Sequence, residues 1–103
     1  MIIAVDFDGT IIEPIKYPDT NYVFKQDAEE ALNILAETNT LILCTARYGW
    51  YFRSATKFIK KHKLPIKICK RKPVADIYID DKNFGCHNIV WKDILNQINK
   101  GGV

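Results

Sequence analysis

Five apolar residues, Met1 to Val5, run without a break into Asp6. So short and uniform a run has no polar face to turn to water, which suits a strand covered on both sides. The pattern returns twice. Thr40 to Cys44 runs into Thr45, and Ile77 to Ile79, with Ala75 as an earlier start, runs into Asp80-Asp81. Ile66 to Cys69 reads as a further short strand after Pro65.

Helical spacing fills the intervals. Ala28, Ala31, Leu32, Leu35 and Ala36 share one face of a helix over Asp27 to Glu37, and Asp27, Glu29 and Glu30 suit its N-terminus. Phe52, Ala55, Phe58 and Ile59 mark the inner side of a helix over Trp50 to His62. Trp91, Ile94, Leu95 and Ile98 mark that of a closing helix over Trp91 to Asn99. Asp6 to Asp19 holds Gly9, Pro14 and Pro18 and is expected to be irregular. Buried strands alternating with amphipathic helices predict an α/β fold: a three-layer, Rossmann-like sandwich around a mostly parallel central sheet, in a single domain spanning 1–103.

Composition removes other classes. The chain has 103 residues, 48% hydrophobic and 26% charged, the balance of an ordinary globular domain and not of a disordered or fibrous chain. No apolar stretch reaches the length of a membrane helix, and the apolar start lacks the basic flank of a signal peptide. Cys44, Cys69 and Cys86 are odd in number with no CxxC spacing, which predicts a reducing, cytoplasmic setting and no disulfide framework. Cys86-His87 has no partner pair and does not read as a zinc site. The net charge is +3, but from Ser54 to Ala75 there are eight Lys or Arg and no acid: Lys57, Lys60, Lys61, Lys63, Lys67, Lys70, Arg71 and Lys72. Such a run is either a solvated face or a field that draws in a phosphorylated or polyanionic substrate.

Ligands of open parallel sheets bind beyond the carboxyl ends of the strands. Those ends hold Asp6 and Asp8, Thr45 and Arg47, and Asp80 and Asp81. Four carboxylates at one edge repel one another unless a cation compensates them, and hard oxygen ligands select Mg²⁺. A carboxylate beside Mg²⁺ can attack phosphorus, and a second one can shuttle the proton.

Three segments carry a family resemblance over roughly residues 1–85. Asp6-Phe7-Asp8-Gly9-Thr10 resembles the first motif of the haloacid dehalogenase superfamily, Leu41-Ile42-Leu43-Cys44-Thr45 its second, and Ile77-Tyr78-Ile79-Asp80-Asp81 its fourth. The resemblance implies a Mg²⁺-dependent phosphomonoester hydrolase. Asp6 is then the nucleophile, and Asp8 the general acid/base and a metal ligand through its main-chain carbonyl. Thr45 holds a phosphoryl oxygen. Asp80 and Asp81 complete the metal site, with Asp80 the direct ligand. The third motif is a lysine; Lys72-Pro73 matches the family's small members best, and Lys70 comes second. Gly9, Thr10 and Arg47 join Thr45 and Lys72 as candidate substrate contacts, Arg47 standing equally as the partner of a surface acid and Thr10 as a support of its loop. The intervals leave no room for a cap domain, so an open site is expected, with a large substrate, an oligomer or a partner protein as its lid.

Two other readings compete. A two-component receiver domain uses similar residues, but its phospho-accepting Asp follows the third strand, where Lys70 stands here. A phosphate- or nucleic-acid-binding module without turnover would explain the lysines. Substrates compatible with the enzyme reading are nucleotides, sugar phosphates and phosphorylated nucleic-acid ends. Tyr48, Trp50, Tyr51 and Phe52 read mainly as core, with Tyr48 or Trp50, and Tyr17 and Tyr22 from the first loop, as candidates for the substrate entrance.

Overall fold

The structure is a computed structural model that describes residues 1–69, 74–80 and 90–99. Among the described residues, four strands form one parallel sheet: β1 (Ile2–Val5), β2 (Thr40–Leu43), β3 (Ile66–Lys67) and β4 (Ile77–Ile79), in the order β3-β2-β1-β4. The helices are α1 (Ala28–Ala36), α2 (Gly49–Lys61) and α3 (Trp91–Asn99). The chain is thus an α/β fold of Rossmann-like order, with β1 at the centre between β2 and β4.

Central placement explains the unbroken apolar run. Ile3, Ala4 and Val5 are all buried. Ile3 and Val5 sit opposite Leu41 and Leu43 of β2 and opposite Ile77 and Ile79 of β4. These residues share one face of the sheet, and all except the partly buried Ile77 belong to the main core cluster. Ala28, Ala31, Leu32 and Leu35 of α1, Ala55 and Ile59 of α2, and Trp91, Ile94 and Ile98 of α3 join that core, with Phe7, Ile11, Ile12, Leu64 and Ile66. Ala4 points the other way, with Ile42 and Tyr78 as its lateral neighbours. It is as buried as Ile3 but stands outside the main cluster.

Two elements differ from the sequence expectation. β3 is a two-residue strand, because only Ile66 and Lys67 find partners in β2, namely Leu41 and Ile42. Asp27 precedes α1 in the left-handed region at φ 64° and makes no side-chain cap, so the acids of the first turn, Glu29 and Glu30, face the helix dipole without it.

The segment after β1 is a folded excursion. Gly9, at φ 73°, takes a turn that a side chain would oppose. The amides of Thr10, Ile11 and Ile12 then converge on the Phe7 carbonyl. Antiparallel contacts from Glu13 to Val23 and from Lys25 to Ile11 close a hairpin-like loop, which carries Tyr17 and Tyr22 back against α2.

Candidate active site

Parallel register builds the first half of the site. The Asp6 amide donates to the Ile79 carbonyl and the Cys44 amide to the Val5 carbonyl, both at 2.9 Å. The ladders on both sides of β1 thereby bring Asp6, Cys44 and Asp80 abreast, one step beyond the paired residues, about 4.8 Å from strand to strand. Asp6, Thr45 and Asp80 line one open cleft of about 580 Å³, whose floor includes Ala4 and Tyr78. Asp6 Oδ1 accepts the Phe7 amide at 2.8 Å, which fixes the carboxylate plane. Thr45 Oγ1 accepts the Arg47 amide at 3.2 Å, a local turn that leaves the hydroxyl proton to donate.

Side chains alone build the second half. Asp8 faces Arg47. Nε donates to Asp8 Oδ2 at 2.8 Å and Nη2 to Oδ1 at 2.5 Å, a bidentate pair. Arg47 Nη1 donates to the Tyr22 hydroxyl at 2.7 Å and to the Tyr51 carbonyl at 3.2 Å. The Tyr22 hydroxyl also shares a hydrogen bond with Ser54 Oγ, 2.7 Å away. The guanidinium lies 3.6 Å from the Tyr51 ring centre and within 5.1 Å of those of Phe7 and Tyr22. The Arg47 side chain is only 3% exposed, against 39% for Asp8. Burial by itself would lower the pKa of Arg47, but the hydrogen bonds to Asp8 and Tyr22 outweigh it and the pKa is raised. Arg47 is therefore a permanent cation, enclosed by rings and open towards Asp8. Burial raises the Tyr51 phenol, with Arg47's charge acting against it.

These placements sort the sequence candidates. Asp6, Thr45 and Asp80 meet at the cleft. Of the two expectations for Arg47, the structure shows the acid partner, Asp8: the side chain is enclosed and four of its five N–H donors are engaged. Gly9 and Thr10 are buried, so neither offers a surface to substrate. Thr10 supports the loop instead. Its carbonyl accepts the indole N–H of Trp91 at 2.8 Å, and its hydroxyl has no hydrogen-bond partner among the described residues. Lys70, Lys72, Asp81, Cys86 and His87 lie outside the described residues.

Three contributors carry no functional signal in sequence. Ser54 and the Tyr51 carbonyl hold the arginine network from inside α2, and Trp91 braces the first motif from α3. Trp91 does announce a core position by its spacing, but nothing in that spacing marks its N–H as an anchor.

The described residues hold no group of three or more His, Cys, Asp and Glu side chains placed to bind a metal. Mg²⁺ does not require one. It takes one or two carboxylates, keeps several waters and shares the remaining positions with phosphate oxygens. The adjacent carboxylates Asp6 and Asp80 on an open cleft fit that habit.

No protein-family model matches the chain, and no curated protein sequence matches it. Among solved structures, a conserved protein coded by a locus of Bacteroides thetaiotaomicron superposes with a TM-score of 0.81 at 32% sequence identity, over all of this chain and 93% of that one.

Proposed function

The chain belongs to the same protein family as that conserved Bacteroides protein, and from that footing we propose that it is a Mg²⁺-dependent phosphomonoester hydrolase of the haloacid dehalogenase type, working through an aspartyl-phosphate on Asp6. The observation that carries the reading is the meeting of Asp6, Thr45 and Asp80 at one cleft beyond the strand ends, with Asp8 two residues away on a separate support.

The chemistry follows from those positions. A carboxylate oxygen of Asp6 attacks phosphorus, the ester P–O bond breaks, and the leaving oxygen takes a proton from Asp8. Water then attacks the phosphorus of the aspartyl-phosphate, Asp8 takes the water's proton, and phosphate leaves with Asp6 restored. The Thr45 hydroxyl donates to a phosphoryl oxygen. Mg²⁺, held by Asp6, Asp80 and the Asp8 main-chain carbonyl, with Asp81 as a further candidate, supplies charge neutralisation on the transferring group. Lys72, with Lys70 as second choice, supplies the matching cation from the protein. Each Asp8 oxygen accepts one hydrogen bond from Arg47 and keeps a second lone pair, which can carry the proton. Arg47 is accordingly a positioning residue.

Cys44 and Cys69 form no disulfide among the described residues, which fits a cytoplasmic enzyme. No helix among the described residues is long and apolar enough to cross a membrane.

Hydrolysis of p-nitrophenyl phosphate tests the proposal. Release that needs Mg²⁺, stops with EDTA and is lost in Asp6→Asn is the expected result. A folded protein that releases nothing from any phosphomonoester offered, or an Asp6→Asn variant as active as wild type, overturns it; the first outcome favours a binding module without turnover.

A further inference from the structure

The proposed reaction leaves the far side of the ester undefined, and the surface beside Asp8 describes it. Asp8 protonates the leaving oxygen, so the leaving group lies on the Asp8 side. Arg47 covers that carboxylate, Tyr51 stacks on Arg47, and Tyr17 and Trp50 pack on Tyr51 at 4.9 and 5.3 Å between ring centres. Tyr17 and Trp50 also touch each other, 5.6 Å apart. This outer pair is open to solvent: Tyr17 is 62% exposed and Trp50 46%, with Tyr48 beside them at 87%. Large rings held by their neighbours and left uncovered are a stacking platform. The platform stands two ring contacts outward from Asp8. An aryl phosphate, whose ring is bonded directly to the ester oxygen, does not reach it; a base carried on a sugar does.

A second observation extends the surface. Trp50 opens a row on α2 that continues through Arg53, Lys57 and Lys60, all exposed, at spacings of three and four residues. That spacing is one helical face, about 15 Å long. Arg53 and Lys60, together with Lys63, also rim a groove of about 500 Å³ between α2 and the edge strand β3, floored by Phe52, Ile59 and Ile66. Rings at one end and a line of cations leading away from them form the pattern that binds single-stranded nucleic acid: bases stack and the backbone follows the charge.

Building on the phosphatase reading, we infer that the substrate is the phosphorylated end of a single-stranded nucleic acid, its first bases stacked on Tyr17 and Trp50, one on each ring, and its following phosphates tracked along Arg53, Lys57 and Lys60. The shared chemistry, a phosphorylated sugar bearing a base, also occurs in free mononucleotides, and the row of cations separates the two sources.

Tryptophan fluorescence provides the test, because Trp50 is exposed and Trp91 is buried. The full-length Asp6→Asn protein is titrated with 5′- and 3′-phosphorylated oligothymidylate, thymidine monophosphate, ribose 5-phosphate and a phosphotyrosyl peptide. Oligothymidylate should quench, thymidine monophosphate should bind more weakly, and ribose phosphate should leave the signal unchanged. Tyr17→Ala should weaken oligonucleotide binding about tenfold. The double variant Lys57→Gln/Lys60→Gln should flatten the slope of log affinity against log salt by about 1.4, roughly 0.7 for each cation removed. Absence of quenching by oligothymidylate, equal affinity for thymidine monophosphate with no salt dependence, or tighter binding of the peptide overturns the inference. The readout needs no turnover. Oligonucleotide binding without hydrolysis of any phosphomonoester defeats the phosphatase reading alone, and p-nitrophenyl phosphate turnover without oligonucleotide binding defeats this inference alone.

Discussion

Asp6 and Asp8 are two residues apart and belong to two differently built regions. The cleft around Asp6 is a product of backbone: parallel ladders set Asp6, Cys44 and Asp80 abreast, and a side chain need only occupy its place in the strand. The pocket around Asp8 is a product of side chains: one arginine, three rings, a hydroxyl pair and a carbonyl, drawn from the first loop, the connection between β2 and α2, and α2 itself. The first region is an open cleft, whereas the second encloses its guanidinium. A site divided this way keeps its nucleophile on a rigid edge and gives its proton carrier a support that can be tuned separately.

The largest expected effect tests whether the second region serves the first. Asp8→Asn should slow turnover by about 10²–10⁴-fold, the usual contribution of a general acid/base. Phosphorylated Asp6 should accumulate in rapid-quench experiments, since its breakdown loses a base. Turnover within a few-fold of wild type would separate the arginine pocket from the chemistry.

Arg47→Lys comes next. Lysine keeps the charge but not the fork, and it does not stack as a plane on Tyr51. Turnover should fall by roughly ten- to a hundredfold in kcat with KM nearly unchanged, about 1.4–2.7 kcal/mol of barrier. A rise in KM with kcat intact would return Arg47 to the substrate phosphate and erase the distinction between the two regions.

Trp91→Phe probes the brace behind both carboxylates. The ring mass is largely retained and the N–H to the Thr10 carbonyl is lost, leaving a buried acceptor unpaired. The expected cost is about 1–3 kcal/mol in chemical denaturation, with activity per folded molecule reduced less than in the Asp8 and Arg47 variants. An unchanged denaturation midpoint would show that the loop is held by its own backbone contacts without the indole.

Tyr22→Phe should have the smallest effect. It removes the acceptor for Arg47 Nη1 and the hydrogen bond with Ser54, but keeps the ring on Phe7 and Phe58. About 1 kcal/mol of stability and a few-fold in kcat are expected. A loss as large as that of Arg47→Lys would make the hydroxyl, and not the rings, the main support of the guanidinium.

Much of the first region was legible before any coordinates. Apolar runs that stop at acids mark strand ends, and parallel pairing of such strands brings their ends to one edge, so Asp6, Thr45 and Asp80 could be grouped by pattern alone. Helix spans were legible for the same reason: α1, α2 and α3 differ from their expected limits by at most a residue at either end. The second region was not legible. Arg47 appeared as a ligand for phosphate or for some surface acid, and nothing in its surroundings named Asp8, 39 residues earlier. Tyr22 and Ser54 were an entrance candidate and an unremarked helix position.

The sequence by itself determined which segments are strands and helices, that the sheet is parallel, and which residues stand at its carboxyl edge. Those properties follow from local periodicity and from the regular spacing of backbone hydrogen bonds, both of which repeat over a few residues. Only the tertiary structure decided that Asp8 pairs with Arg47, that Arg47 is enclosed by Phe7, Tyr22 and Tyr51, and that Tyr17 meets Trp50 beside the row of cations on α2. Each of those choices depends on where a loop closes and which side chains then fit against one another, and no short-range period of the chain encodes that geometry.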